Sequence, residues 1–394
     1  MKRVLIVTGG TGGHIFPALA LAEELSKKHK VGILGDKNTQ KHLKNTLNLP
    51  FSKISSSQIP KSRLKKITSA IKISIGILQS LIKITIYRPH FIFAFGGYST
   101  FPTLIAATLL KRKIILHEQN AVLGKVNRIF ARFCYKIALT FEKTKKIDKK
   151  YQNKIIHTGT ALRKEILKLS KKEYQLPNKI IPKERKTMGY QGLVLASEFE
   201  EMTNPTPKRE LFNVLIIGGS GGAEIFSKIL PKAFFNLDEE FKNNIQIFQQ
   251  CRGDLTEETF ENYEEFNMNI EIDNFFNDMK SKINKAHLII SRAGSTSIHE
   301  FLAAKKPMIL VPFAKSADNH QVENAKIFEK NNLAILVKEK DFTIKKMSTI
   351  LNDTLSKDKK LIKMSENCTK YAENILDGTK NLVNLISDDK KDAN

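Results

Sequence analysis

His14 ends the run Thr8-Gly9-Gly10-Thr11-Gly12-Gly13-His14, so an imidazole, the side chain that titrates nearest neutral pH, sits beside a loop containing four glycines. The apolar Val4-Leu5-Ile6-Val7 precedes this loop, and a helical pattern at Ala18, Leu21, Ala22 and Leu25 follows it. Glycines let the backbone turn sharply and approach a ligand, and free amides at a helix N-terminus favour an anion such as a diphosphate. The chemistry on offer is a proton acceptor next to an anion site; the plainer alternative is a tight turn. The glycine spacing matches neither the dinucleotide fingerprint nor the P-loop, so nicotinamide and ATP readings lose their usual support.

Other polar clusters follow apolar runs in the same way. Gly96-Gly97-Tyr98-Ser99 ends the run Phe91–Phe95, and His117-Glu118-Gln119-Asn120 ends Lys113–Leu116. A loop this rich in polar groups suits a sugar or a nucleotide, or else a structural network satisfied within itself. Arg292-Ala293-Gly294 leads into Ser295-Thr296-Ser297-Ile298-His299-Glu300. Ser297 and Glu300 have capping-box spacing, one account of that glutamate; the other is a carboxylate accepting two hydrogen bonds from vicinal hydroxyls, as ribose offers. A last polar loop, Ser316 to Asn324, carries Asp318, Asn319, His320 and Gln321.

The elements that must position these groups alternate between short apolar strands and helices, as in a doubly wound parallel α/β sheet, where ligands sit beyond the carboxyl ends of the strands. Asn213–Ile217, Gly218-Gly219-Ser220-Gly221-Gly222-Ala223 and a helical pattern from Phe226 to Ala233 repeat the opening strand, glycine loop and helix. Two similar domains facing across a cleft follow, over residues 1–160 and 161–375, with 376–394 returning to the first. Residues 170–209 lose their periodicity and gain four prolines, reading as a linker or insertion, and the tail from Asp388 reads as charged and disordered. Residues 60–88 are basic and amphipathic, with Ile67, Ile71, Ile75, Leu78, Leu81 and Ile82 as an apolar set. They read as a crossover helix on the sheet, with a face resting on an anionic bilayer as the sharper alternative.

A length of 394 residues fits two domains, and a formal charge of +25 implies attraction to something anionic or simply a lysine-rich surface. Cys134, Cys251 and Cys368 are odd in number and far apart, so neither a disulfide framework nor a zinc pattern is available. Glycines break the N-terminal apolar run where a signal peptide needs continuity, and a place inside the cell is expected. Phe91–Leu110 lacks charge, but Gly96-Gly97 and Pro102 divide it into strand, loop and helix rather than a membrane span. No cluster of aspartates suggests a protein-held metal; the expectation is no cofactor, with a divalent cation at most an accessory bound through phosphates. No zinc finger, helix-turn-helix or aromatic RNA motif supports a nucleic-acid binder.

Taken in order, Thr8–His14, Gly96–Tyr98, His117–Asn120, Gly218–Ala223, Arg292–Glu300 and His320-Gln321 to Asn324-Ala325 resemble the MurG family of peptidoglycan glycosyltransferases over roughly residues 2 to 385. The resemblance implies a GT-B fold and an inverting transfer of N-acetylglucosamine from its UDP donor to lipid I, giving lipid II. It places Thr11, Gly12, Gly13 and Asn120 near the N-acetylglucosamine, and Arg163 and Ser220 on the diphosphate or nucleotide. The backbone of Phe276 falls at uracil, Ser295, Thr296, Ser297, Ile298, His299 and Glu300 at the nucleotide with Glu300 on the ribose, and His320 and Gln321 at the donor sugar. His14 becomes the candidate base, and Gly9, Gly10, Gly96, Gly97 and Tyr98 the acceptor side. It also implies a peripheral enzyme on the cytoplasmic face of the inner membrane, with UDP-N-acetylglucosamine, lipid I and an anionic membrane surface as partners. Gly221, Gly159-Thr160-Ala161-Leu162 and Gln250-Cys251-Arg252-Gly253-Asp254 depart from the family pattern. A UDP-N-acetylglucosamine epimerase of similar build is the competing enzyme; it would turn over the donor alone.

Overall fold

A computed structural model describes residues 1–44, 48–58, 62–177, 210–219, 222–266, 268–276 and 278–387. Ser220, Gly221, most of the 170–209 stretch and the tail from Asp388 lie outside the described residues.

The amino-terminal half forms a parallel sheet from β1 (Arg3–Val7), β2 (Lys30–Gly35), β3 (Phe51–Lys53), β4 (Phe91–Ala94), β5 (Lys113–Glu118), β6 (Lys136–Leu139) and β7 (Ile155–His157). Its strand order is β3-β2-β1-β4-β5-β6-β7. The second sheet comprises β8 (Phe212–Ile217), β9 (Ile245–Gln250), β10 (Asn269–Asp273), β11 (Leu288–Ser291), β12 (Met308–Leu310) and β13 (Ala334–Leu336), in the order β10-β9-β8-β11-β12-β13. In each sheet the order reverses beside the first strand, between β1 and β4 and between β8 and β11. Such reversal opens a crevice at the carboxyl edge. All four neighbouring loops are the ones singled out from sequence: Thr8–His14 and Gly96–Ser99 in one domain, Gly218–Ala223 and Arg292–Glu300 in the other.

The central strands are apolar throughout because helices cover both faces. Val4, Ile6, Phe91 and Phe93 pack toward the Gly12–Ser26 helix, while Leu5, Val7, Ile92 and Ala94 pack on the opposite face with Leu104 and Ile84. The C-terminal helix Gly378–Ser387 inserts Leu382 and Ile386 among the residues of the first of these faces, and Asn381 Nδ2 donates to the Thr158 carbonyl at 2.9 Å. Glycine is required where the chain recrosses: a Cβ on Gly378 would lie 2.3 Å from Thr160 backbone atoms.

The expectation for residues 60–88 is corrected in part. A helix spans Arg63–Tyr87, but Ile84, with Leu81 and Tyr87, joins the core only near its end. Along its length it packs on the Phe101–Leu109 helix through small residues: Ser80 Oγ meets Thr103 Oγ1 at 2.9 Å, and Gly76 lies against the Ser55 carbonyl and Pro102. Ile67, Ile71, Ile75, Leu78, Ile82 and Ile86 are 46–75% exposed, at three- and four-residue spacings that place them on one face. The Lys66–Tyr87 stretch is long and apolar enough to cross a membrane by length and composition alone. Phe91–Leu110, by contrast, resolves into β4, a short turn of 3₁₀ helix and the Phe101–Leu109 helix.

Candidate active site

The first glycine loop is held from below. Thr8 Oγ1 donates to the His14 carbonyl at 2.9 Å, and the Gly10 amide donates to Asp36 Oδ2 at 2.6 Å, with Gly10 in the left-handed region at φ +86°. Asp36, at the end of β2, is a site residue that the sequence reading did not single out. Its position after the second strand was the available signal. Gly96 and Gly97 (φ +76° and +80°) bring backbone against the His14 ring; a Cβ on Gly97 would lie 3.5 Å from His14 Nε2. Tyr98 faces Gly10 across this loop.

His14 Nδ1 and the Phe95 carbonyl are 2.7 Å apart, which fixes the proton on Nδ1 and leaves the Nε2 lone pair free. The Gln119 side-chain amide also lies against Nδ1. Because that nitrogen already carries a proton, the amide oxygen must turn toward it and the NH2 toward His117. That orientation gives Gln119 Oε1 a donor and sets an NH2 against one nitrogen of the His117 ring. Burial pushes the His14 pKa below its usual value, against the opposing Phe95 hydrogen bond and the Asp36 charge, so the neutral imidazole is favoured. Burial lowers His117 further, to about 3.

Glu118 is committed elsewhere. It accepts from the Asn120 and Gly124 amides at 3.0 and 2.8 Å, and from Asn120 Nδ2 and Asn127 Nδ2 at 3.0 and 2.9 Å. The Glu118 carboxylate is therefore satisfied within the protein.

The carboxyl edges of the two sheets touch. Thr296 Oγ1 donates to the Gly13 carbonyl at 2.9 Å, and Ser295 Oγ donates to the Gln119 carbonyl. Asn324, fully buried, accepts from the Ala121 amide at 2.8 Å and donates to Asn120 Oδ1 and the Ala293 carbonyl at 3.2 and 3.1 Å. One amide thus joins both domains; the sequence offered only its place in a polar loop. On the rim, Asp318 pairs with Arg128 and Lys146 at 2.9 and 2.7 Å, and Glu323 with Lys145 at 2.6 Å, tying the loop that carries His320 and Gln321 to the first domain. Gln321 Oε1 accepts from the Phe313 amide at 2.9 Å, which leaves its NH2 available. His320 Nδ1 bonds the Ala317 carbonyl at 2.7 Å, and burial pushes the His320 pKa below its usual value against that hydrogen bond.

Glu300 is not a helix cap. The Ser295–Ala303 helix starts after Gly294 with no side-chain cap, and Glu300 is buried in its second turn. Arg163 Nε and Nη2 both donate to Glu300 Oε1, at 3.0 and 2.8 Å. Burial still holds the Glu300 carboxyl above its ordinary range, with Arg163 pulling the other way. Ile298 and His299 point into the core: His299 Nδ1 bonds the Ser295 carbonyl at 2.7 Å and its ring packs on Phe141 and Phe328. With both side chains in the core, these two have only backbone to offer a nucleotide. Ser297 stays partly exposed at the helix start, Gly12 opens the first helix and Thr11 is exposed ahead of it. The Phe276 ring is likewise buried, so only its backbone can meet a base. Among the described residues no group of three His, Cys, Asp or Glu is placed to hold a metal ion.

Two doubly wound domains meeting at their carboxyl edges around glycine loops define a glycosyltransferase fold of the GT-B type. Residues 4–139 match the glycosyltransferase family 28 N-terminal domain, and residues 213–379 match the family 28 C-terminal domain. A crystal structure of Acinetobacter baumannii MurG is similar with a TM-score of 0.71 and 25% identity, covering 98% of this chain and 99% of that one. A UDP-GlcNAc 2-epimerase from Neisseria meningitidis, at 15% identity and a TM-score of 0.63 over 98% of this chain and 99% of its own, shares the fold alone. A Rickettsia akari protein is 32% identical over 94% of each chain, and one from Wolbachia sp. subsp. Drosophila simulans 33% identical over 97% of this chain and 98% of its own. Both are named UDP-N-acetylglucosamine--N-acetylmuramyl-(pentapeptide) pyrophosphoryl-undecaprenol N-acetylglucosamine transferase. The present chain belongs to this family of hexosyltransferases.

Proposed function

We propose that this chain transfers N-acetylglucosamine from UDP-N-acetylglucosamine to undecaprenyl-diphosphate-linked muramoyl-pentapeptide, lipid I, with inversion at the anomeric carbon, to give lipid II. The observation that carries the reading is a neutral His14 with Nε2 free in the glycine-lined edge of one domain, facing the Ser295–Ala303 helix and Arg163–Glu300 of the other. The acceptor hydroxyl attacks the anomeric carbon, its proton passes to His14 Nε2, and the bond from that carbon to the UDP oxygen breaks. Helix N-terminal amides and Arg163 offset the charge gathering on the departing diphosphate. Gly9, Gly10, Gly96, Gly97 and Tyr98 line the acceptor side. Thr11, Gly12, Gly13, Asn120, His320 and Gln321 surround the donor sugar, and Glu300 takes the ribose hydroxyls. The nucleotide also meets Ser295, Thr296 and Ser297, the backbone of Ile298, His299 and Phe276, and Ser220. No metal takes part in these steps, and a divalent cation would bind only through phosphate oxygens.

A prenyl-linked acceptor brings the enzyme to a bilayer. The exposed Ile67–Ile86 face, flanked by Lys66, Lys72 and Lys83, fits an anionic leaflet, so the enzyme works as a peripheral protein on the cytoplasmic face of the inner membrane. Incubation with UDP-N-acetylglucosamine alone tests the reaction class: a transferase leaves the sugar nucleotide intact, whereas conversion to its C2 epimer overturns the reading.

A further inference from the structure

Arg163 and Glu300 have partners other than a ligand: each other. Arg163 lies on the connection leaving the first domain, beyond β7. Its guanidinium stacks 4.9 Å from the centre of the Phe16 ring, on the helix that follows the first glycine loop. Nη1 reaches Glu165 at 3.4 Å, and Nε and Nη2 converge on Oε1 of Glu300, in the helix that follows β11. One guanidinium therefore touches three elements that meet at the cleft. It occupies one oxygen of the carboxylate, while Oε2 makes no hydrogen bond among the described residues. A ribose diol seeking both oxygens competes with Arg163 for Oε1.

Taking the placement of Glu300 at the ribose as given, we propose that Arg163 is a specificity-determining residue whose ion pair with Glu300 makes the site select a nucleoside diphosphate over a nucleoside. Opening the pair leaves a buried carboxylate unpaired and a half-buried guanidinium whose remaining anionic partner is Glu165 at 3.4 Å, an expensive state unless both are satisfied together. UDP satisfies both: the ribose hydroxyls replace the guanidinium on Glu300, and the freed guanidinium takes the diphosphate in the forked geometry it favours. Uridine satisfies only the carboxylate and strands the arginine. In the empty site, the pair keeps Glu300 ionised and in place until the full ligand arrives.

The test is calorimetric binding of uridine and of UDP to the full-length protein and to Arg163→Met and Glu300→Gln, at about pH 8.5 so that Glu300 stays ionised. Methionine keeps packing on Phe16 and removes the charge. The expected effects on Arg163→Met have opposite signs: UDP weakens by about tenfold or more, while uridine tightens by about threefold or more because it no longer breaks the pair. Glu300→Gln weakens both ligands. Parallel weakening of uridine and UDP in Arg163→Met overturns the proposal and makes Arg163 a support for Glu300. Unchanged uridine binding in Arg163→Met, with Glu300→Gln still weakening it, also overturns the proposal but keeps Glu300 at the ribose. Uridine binding unchanged in both variants removes Glu300 from the ribose altogether. If Arg163→Met fails to fold, Arg163→Lys, which keeps the charge but loses the fork, reads the same opposite-signed shifts at smaller size.

Discussion

Replacing Leu78 and Ile82 together by serine tests the proposed membrane face where it costs the fold least. Both side chains are more than half exposed, at 60% and 51%, and neither belongs to the domain core. Fully burying a leucine or isoleucine is worth about 1.5–3 kcal/mol, so covering the exposed half of each with acyl chains contributes about 1 kcal/mol. The double variant therefore loses about 2 kcal/mol of membrane affinity, roughly a thirtyfold drop in partition onto anionic vesicles at fixed salt. Its thermal stability changes little, since surface substitutions away from special features stay within about 0.5 kcal/mol. Sedimentation with vesicles of anionic and of neutral lipid, at low and high salt, supplies the readout. The lysines beside the stripe predict weaker binding to neutral vesicles and partial loss with salt. An unchanged partition of a folded double variant, or equal binding to both lipids at every salt concentration, refutes the reasoning.

His14→Ala lowers turnover by about 10² to 10⁴ with donor affinity nearly unchanged, and because burial depresses the imidazole pKa, the acidic limb it removes from the pH-rate profile lies below pH 6.5. If acceptor binding weakens instead and the limb only shifts, His14 serves the acceptor phosphates as a charge. Glu300→Ala weakens UDP by about 1–3 kcal/mol in isothermal titration, and unchanged affinity in a folded variant removes the ribose contact. Asn324→Ala deletes two hydrogen bonds between the domains and one within the second, and calorimetry is expected to separate their unfolding into two transitions; one sharp transition at the original temperature contradicts that role. His117, His287 and His299 are held neutral by burial, with folded pKa values of about 3, 4 and 4. The unfolded chain takes up protons first as pH falls from 6.5, so this stability is full above that value and is lost down to about pH 4 for His287 and His299 and about pH 3 for His117. Each histidine contributes about 1.4 kcal/mol for every pH unit that separates its folded and unfolded pKa values. Denaturation midpoints flat between pH 7 and 4.5 contradict it.

Much of this architecture is written locally. Val4–Val7 and Phe91–Phe95 are too continuously apolar for a surface strand, and the glycines that follow each permit only a turn or a close approach. Strand order was not local and was not legible: the repeat of strand, glycine loop and helix at Val4 and Val214 pointed to two similar domains, and the fold shows that both sheets reverse beside that unit. Pairings between distant segments were not legible. Ser297 and Glu300 have the spacing of a cap, and only folding brings Arg163, 137 positions away, to the carboxylate. The same limit hid Asn324 as the amide joining two domains. The stripe from Ile67 to Ile86 was legible as amphipathic, but its direction was not: the small residues Gly76 and Ser80 face the protein and the large ones face out, the reverse of an ordinary crossover helix.

The central claim is tested most directly by transfer of labelled N-acetylglucosamine from its UDP donor to a lipid I analogue, followed by analysis of the new linkage. A β-linked disaccharide and stoichiometric UDP are expected, formed only when acceptor is present and about 10² to 10⁴-fold more slowly by His14→Ala. Label that stays on the nucleotide in the presence of acceptor, or an α-linked product, contradicts the claim.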